Sequence, residues 1–154
     1  MIFMQDDTDR RLLRLLQETP DLSTAELADR AGLTAMRCAR RLARLEESGV
    51  LRGSRAVIDW KALGFAVAVS LRVTLDKTQP RAFDEFLARA REVAEVIEIQ
   101  TFLGRVDVRL QIVARDLGHY RDLYRDKILR LPHIADIESL MTVSVVKSDE
   151  ALPL

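Results

Sequence analysis

Arg37, Arg40, Arg41 and Arg44 are spaced so that an α-helix, turning about 100° per residue, brings all four guanidinium groups onto one stripe. With Arg37 at the origin, Arg40 falls at about 300°, Arg41 at about 40° and Arg44 at about 340°, while Cys38, Leu42 and Leu45 gather at about 80–140°. A planar, permanently charged fork suits phosphate oxygens and the O6/N7 edge of guanine. The residues four positions on from Arg37, Arg40 and Arg41 are Arg41, Arg44 and Leu45, so the helix supplies no acid of its own to neutralise the stripe. DNA contact is therefore the first reading, ahead of an ordinary solvated charged face.

Competing chemistry is thin. The single cysteine, Cys38, lies on the apolar side of the same helix and reads as core, and no second cysteine exists to build a zinc site. Asp107, His119 and His133 are the groups available for acid–base work. His119 sits off the apolar face of its helix and His133 follows Pro132 at a helix end, so both read as surface residues. With no nucleophile motif, glycine-rich phosphate loop or metal-ligand spacing, the chain reads as a non-enzyme without cofactor or metal.

The positioning elements follow from periodicity and caps. Asp7 to Gln17 reads as a first helix with Leu12, Leu13, Leu15 and Leu16 on its buried face, ended before Pro20. Ser23 and Glu26 have capping-box spacing, with Leu22 stapled onto Leu27, and start a short second helix to about Arg30. Gly32 ends it. Thr34 caps the arginine-bearing helix, which Gly49 stops near Ser48. Two helices joined by a glycine turn, the second capped and arginine-striped, form a helix-turn-helix pattern. Val50–Leu51 and Ala56–Ile58 flank Arg52-Gly53-Ser54-Arg55, which reads as a hairpin, or wing, with an arginine at each end.

From Phe65 the period becomes two: Phe65, Val67, Val69, Leu71 and Val73 alternate with smaller or polar residues. Pro80 then opens a helix with Phe83, Phe86, Leu87 and Ala90 on one face. Strands follow around 96–103 and 106–114, joined tightly at Gly104-Arg105, and after a helix over Asp116–Arg130 comes a last strand over Ile137–Val146. This βαββαβ order predicts a four-stranded antiparallel sheet with both helices on one face. The other face would carry Ala66, Ala68, Ser70, Arg72, Glu98, Gln100, Asp107, Arg109, Gln111, Glu138, Thr142 and Ser144, open to water or to a symmetry mate.

The fold class expected is α+β, divided into a helix-turn-helix DNA-binding domain (1–53), a β linker or wing (54–64) and a ferredoxin-like domain (65–154). Net charge is zero, so DNA affinity has to come from local segregation: residues 34–55 hold six arginines against Glu46 and Glu47. The lone cysteine fits a reducing compartment, and no apolar run approaches the ~20 residues needed to span a bilayer. A cytoplasmic protein without membrane contact is expected.

With these elements in place, the chain resembles the Lrp/AsnC (feast/famine) family of prokaryotic transcription regulators along nearly its whole length. The matching pieces are Asp6-Asp7-Thr8-Asp9-Arg10-Arg11-Leu12-Leu13, Ser23-Thr24-Ala25-Glu26-Leu27-Ala28, Ala31-Gly32-Leu33-Thr34, Arg41-Leu42-Ala43-Arg44-Leu45-Glu46, Gly49-Val50-Leu51 and Leu63-Gly64. The resemblance implies a homodimer, often assembled into octamers, that binds double-stranded DNA and responds to a small-molecule effector such as an amino acid. It also implies an effector site between subunits near the loop joining the second and third strands, here Leu103, Gly104, Arg105 and Asp107. Gly104 and Asp107 match the family pattern. Arg105 stands where the family has an acid and Val108 where it has a tyrosine.

Thr34, Arg37, Arg40 and Arg41 are expected nearest the base edges, with Arg44, Arg52 and Arg55 on phosphates. The alternatives carried forward are an effector-independent architectural DNA-binding protein and an amino-acid-binding regulatory subunit of an enzyme.

Overall fold

The computed structural model describes residues 6–148 and 151–154, in two compact units. The first comprises the chain up to Val57 together with the tail from Lys147; the second runs from Ile58 to Val146. The expected division had assigned the tail to the second half.

The first unit is built from α1 (Asp7–Glu18), α2 (Thr24–Ala31) and α3 (Ala35–Glu47). Each begins on a side-chain cap that answers an orphan amide of the first turn. Asp6 accepts from the Asp9 N–H at 2.8 Å, and Thr34 from the Arg37 N–H at 3.3 Å. Ser23 and Glu26 close the capping box reciprocally, Glu26 holding the Ser23 N–H at 2.9 Å and the Ser23 hydroxyl accepting the Glu26 N–H at 3.3 Å. Gly32 ends α2 at φ +70°, the left-handed conformation that a side chain disfavours, and thereby turns the chain into α3. Leu12, Leu27, Ala28, Ala31 and Cys38 form the core, with Leu15, Leu16, Leu22, Leu33 and Leu42 packed around them.

One expectation fails here. Among the described residues no strand is assigned over 51–59, so the hairpin expected over 50–58 is not formed there as a regular strand pair. Gly53 does turn the chain at φ +100°, but Val57 and Ile58 are exposed, and a two-stranded hairpin without a face to bury is marginal in water.

The second unit contains β1 (Val67–Leu75), α4 (Ala82–Ala90), β2 (Val96–Thr101), β3 (Val108–Ala114), α5 (Leu117–Leu123) and β4 (Ile134–Met141). The sheet order is β2-β3-β1-β4 with every pair antiparallel, the ferredoxin-like arrangement. Alternation sets its two faces. Val69, Leu71, Val73 and Leu75 of β1 and Val108, Leu110 and Ile112 of β3 are buried with Phe86, Ala90, Leu123 and Ile128.

Several boundaries differ from the sequence reading. The helix expected over 116–130 splits into α5 and a π-helical turn, Tyr124–Ile128, which rotates the later residues so that Ile128 and Leu131 reach the core. β4 starts earlier and stops at Met141, leaving Val143, Val145 and Val146 exposed. Phe83, expected on the buried face of α4, is 42% exposed. β2 ends at Thr101 and β3 begins at Val108, so their connection is a six-residue loop, closed at its base by the Phe102 N–H donating to Asp107 O at 2.9 Å, and not a two-residue Gly-Arg turn.

Candidate nucleic-acid and effector sites

Arg37 and Arg40 lie exposed along the first half of α3, and among the described residues neither makes an ion pair. Thr34, Arg52 and Arg55 are exposed as well.

Farther along the helix the arrangement changes. Arg41 places Nη1 2.7 Å from Asp9 Oδ1 and 2.8 and 2.9 Å from the two Asp6 oxygens. Arg44 Nη2 lies 3.0 Å from Asp9 Oδ2. Asp9 is fully buried, so both of its oxygens are answered by guanidinium in a region of low dielectric, where charge-assisted hydrogen bonds are strong. The acids Asp9 and Asp6 hold the Arg41 guanidinium above its usual range. The Asp9 N–H and Arg41 hold the Asp6 carboxyl below its own.

This corrects the sequence reading on one point. The acids of α3 itself, Glu46 and Glu47, stand at its C-terminal end; Arg41 is answered instead by Asp9 of α1 and by Asp6, which caps α1, and the helical wheel of a single element cannot register a carboxylate contributed from elsewhere in the fold. Arg41 is committed to fastening α3 onto α1, and Arg44 shares the same acid while staying half exposed. The stripe thus divides along its length into an outward half and an anchored half. Asp6 and Asp9 were legible only as residues favouring the start of a helix.

In the second unit, Leu103 and Arg105 protrude from the β2–β3 loop with Gly104 between them. Asp107 does not join them. Expected on the open sheet face and in the effector site, it is buried at the base of the loop. There its Oδ2 accepts the Leu75 N–H at 2.9 Å and its Oδ1 lies 3.0 Å from Lys77 Nζ. Burial raises its carboxyl, but that N–H and the ammonium outweigh the effect and hold it below the usual range. The β1–β3 ladder ends at Val73↔Val108, and just beyond that end the Asp107 carboxylate takes the Leu75 N–H. Its backbone works too, the Asp107 N–H donating to Val73 O at 3.0 Å and Asp107 O accepting from Phe102 N–H at 2.9 Å.

Arg105 instead lines a polar concavity of about 540 Å³ with Arg72, Thr74, Val106, Asp136, Ile137 and Glu138. The Thr74 hydroxyl donates to Arg105 O at 3.1 Å and fixes the loop against the sheet. Beside it on the open face, Arg72 and Arg109 sit directly opposite each other, and each turns to an acid, Glu138 at 3.5 Å and Glu98 at 2.7 Å. Arg109 Nε is buried with no hydrogen-bond partner among the described residues. In the sequence Thr74 and Asp136 went unassigned, and Arg72 and Glu138 were placed on the open face without a site, because their convergence depends on the β1–β4 register.

The two histidines have local work. His119 Nδ1 accepts the Arg115 N–H at 3.2 Å, and His133 Nε2 meets Glu85 at 2.7 Å. Among the described residues no group of three or more His, Cys, Asp or Glu could hold a metal ion, and no helix is long and apolar enough to cross a membrane.

Comparisons with known proteins agree with this architecture. Residues 5–52 match the family model described as winged helix-turn-helix DNA-binding, and residues 68–152 match the Lrp/AsnC ligand binding domain. The chain is 33% identical to the proline dehydrogenase transcriptional activator of Rhodobacter capsulatus, over 92% of each protein. It is 31% identical to the leucine-responsive regulatory protein of Salmonella typhimurium, over 96% of this chain and 90% of that one. Among solved structures, a transcriptional regulator of Neisseria meningitidis in complex with L-Met superposes with a TM-score of 0.89 at 27% identity, over 97% of both chains. An AsnC family regulator from Agrobacterium tumefaciens gives 0.87 at 31%, again over 97% of both.

Proposed function

Because the chain belongs to the Lrp/AsnC family of transcriptional regulators, we propose that Thr34, Arg37 and Arg40 read base edges while Arg52 and Arg55 hold phosphates on either side. The observation that carries this assignment is the division of α3. Its N-terminal arginines are exposed and without ion pairs among the described residues, whereas Arg41 is spent on Asp6 and Asp9. Arg44 lends its exposed side to the backbone and its Nη2 to Asp9.

The second unit senses a small molecule, and Arg105 faces it from the concavity beside Arg72 and Thr74. The L-methionine complex of the Neisseria regulator supports an amino acid as the class. An effector bound between subunits changes DNA occupancy only through unequal affinity for two assemblies, so a homodimer and higher oligomers are part of this reading. The open sheet face offers the area for the dimer. The protein works in the cytoplasm, where its DNA is.

The test begins with an operator selected from random duplexes. On it, Arg40→Ala costs about 1–3 kcal/mol and relaxes base choice, whereas Arg52→Ala weakens all sequences alike and lowers the salt slope by about one. Unchanged gel shifts in both variants contradict the assignment. Calorimetry against the common amino acids, paired with sedimentation, tests the effector. Silence in both leaves an architectural DNA-binding protein.

A further inference from the structure

The chain crosses between its two units twice, at Val57–Ile58 and again at Val146–Lys147. After the second crossing, residues 151–154 lie against the first unit. Beside them a cavity of about 640 Å³ is left, walled by Leu13, Leu16, Pro20, Leu42, Val50 and Leu51 on one side and by the tail on the other. Leu154 is the half-buried side chain of the tail at this lining, while Leu152 touches it and stays 64% exposed.

The polar contacts are to backbone. The Gln17 side-chain amide accepts the Leu152 N–H at 2.6 Å and donates to Leu152 O at 3.2 Å, grasping one residue from both sides as a paired strand would. Arg14 Nε donates to Leu154 O at 2.6 Å. Arg14 and Gln17 are three residues apart on α1 and so share a face. Backbone capture by fixed side chains, with one apolar side chain as anchor, is a way in which a surface recognises an extended segment.

We propose that this face of the first unit is a docking site for an extended segment held by its backbone and anchored by a leucine, that its occupant is this chain's own residues 151–154, and that the docked tail acts as a second tether restraining the DNA-binding unit. A unit held by one linker samples every orientation the linker allows, whereas a second attachment removes most of them. For paired half-sites the restraint sharpens the spacing a dimer accepts, a consequence that rests on the DNA-binding reading above.

Hydrogen exchange on the full-length protein tests the docking without reference to DNA. The Leu152 amide exchanges at least about tenfold more slowly than in a free peptide of residues 147–154, and Gln17→Ala removes the protection. Free-peptide exchange in the unaltered protein overturns the proposal. The double substitution Leu152→Asp/Leu154→Asp, confined to the tail, leaves the core intact. In gel shifts it loses at least about fivefold of the preference for the selected operator over one lengthened by two base pairs between half-sites. An undiminished preference overturns the tether. Failure of both proteins to bind any duplex counts against the DNA-binding reading, and the Leu152 protection then decides the docking alone.

Discussion

Each unit buries one carboxylate among its described residues, Asp9 in the first and Asp107 in the second, and the two are satisfied in opposite ways. Asp9 is answered by side chains, the guanidinium groups of Arg41 and Arg44. Asp107 is answered mainly by backbone, the Leu75 N–H, with Lys77 added from an exposed position. The consequences differ accordingly. Asp9 fixes how one helix lies on another and so aims Arg37 and Arg40. Asp107 fixes the path of a loop and so presents Arg105. In both units the acid sets the geometry of a site that other residues would use.

Substitutions at one acid and at the partner of the other separate these roles. Arg41→Ala leaves Asp9 buried with a single partner, and breaking such a pair costs about 2–4 kcal/mol, read as a lowered denaturant midpoint of the first unit's transition. A loss below about 0.5 kcal/mol would make the Asp9 cluster an ordinary surface pair. Asp107→Ala leaves the Leu75 N–H unsatisfied at a cost of about 1–3 kcal/mol, whereas Asp107→Asn keeps an acceptor and loses little beyond the Lys77 attraction. Equal losses in the two variants would show that charge, and not the backbone bond, matters there.

Smaller effects sharpen the same contrast. The Asp6 carboxyl sits below its ordinary range when folded, so its contribution is fully present above about pH 4 and is lost as pH falls through the lowered folded value. Asp6→Asn therefore flattens the acid limb of stability near and below that pH, and an unchanged limb contradicts the assigned partnership with Arg41. Smallest of all, Arg105→Ala shifts stability by no more than about 0.5 kcal/mol while altering the calorimetric response to amino acids. A stability loss as large as that of Asp107→Ala would make Arg105 part of the loop's framework.

What was legible in the sequence divides on the same line. The caps at Ser23 and Thr34, the turn at Gly32 and the alternation of β1 are local signals, and α2, α3 and the sheet appear where those residues placed them. The outward arginines were readable because exposure follows from helical periodicity alone. Asp9 had no readable role, since its partners lie 32 and 35 residues away on another helix. Asp107 was placed on the open face by alternation carried past the strand: β3 begins at Val108, and its ladder with β1 ends there. The missing hairpin taught a related lesson. Its turn residues were present, but Val57 and Ile58 stay exposed where a hairpin needs something to pack on.

The central claim is that α3 gives its first arginines to DNA and its later ones to the fold. Arg40→Ala and Arg41→Ala, compared side by side for denaturant stability and for affinity to one selected operator, test it most directly. Arg40→Ala should melt like the unaltered protein and bind about tenfold or more weakly, while Arg41→Ala should lose stability first and, where still folded, bind with the smaller change. The reverse pattern, a stable Arg41→Ala protein with ruined affinity beside a destabilised Arg40→Ala protein that binds normally, would contradict it.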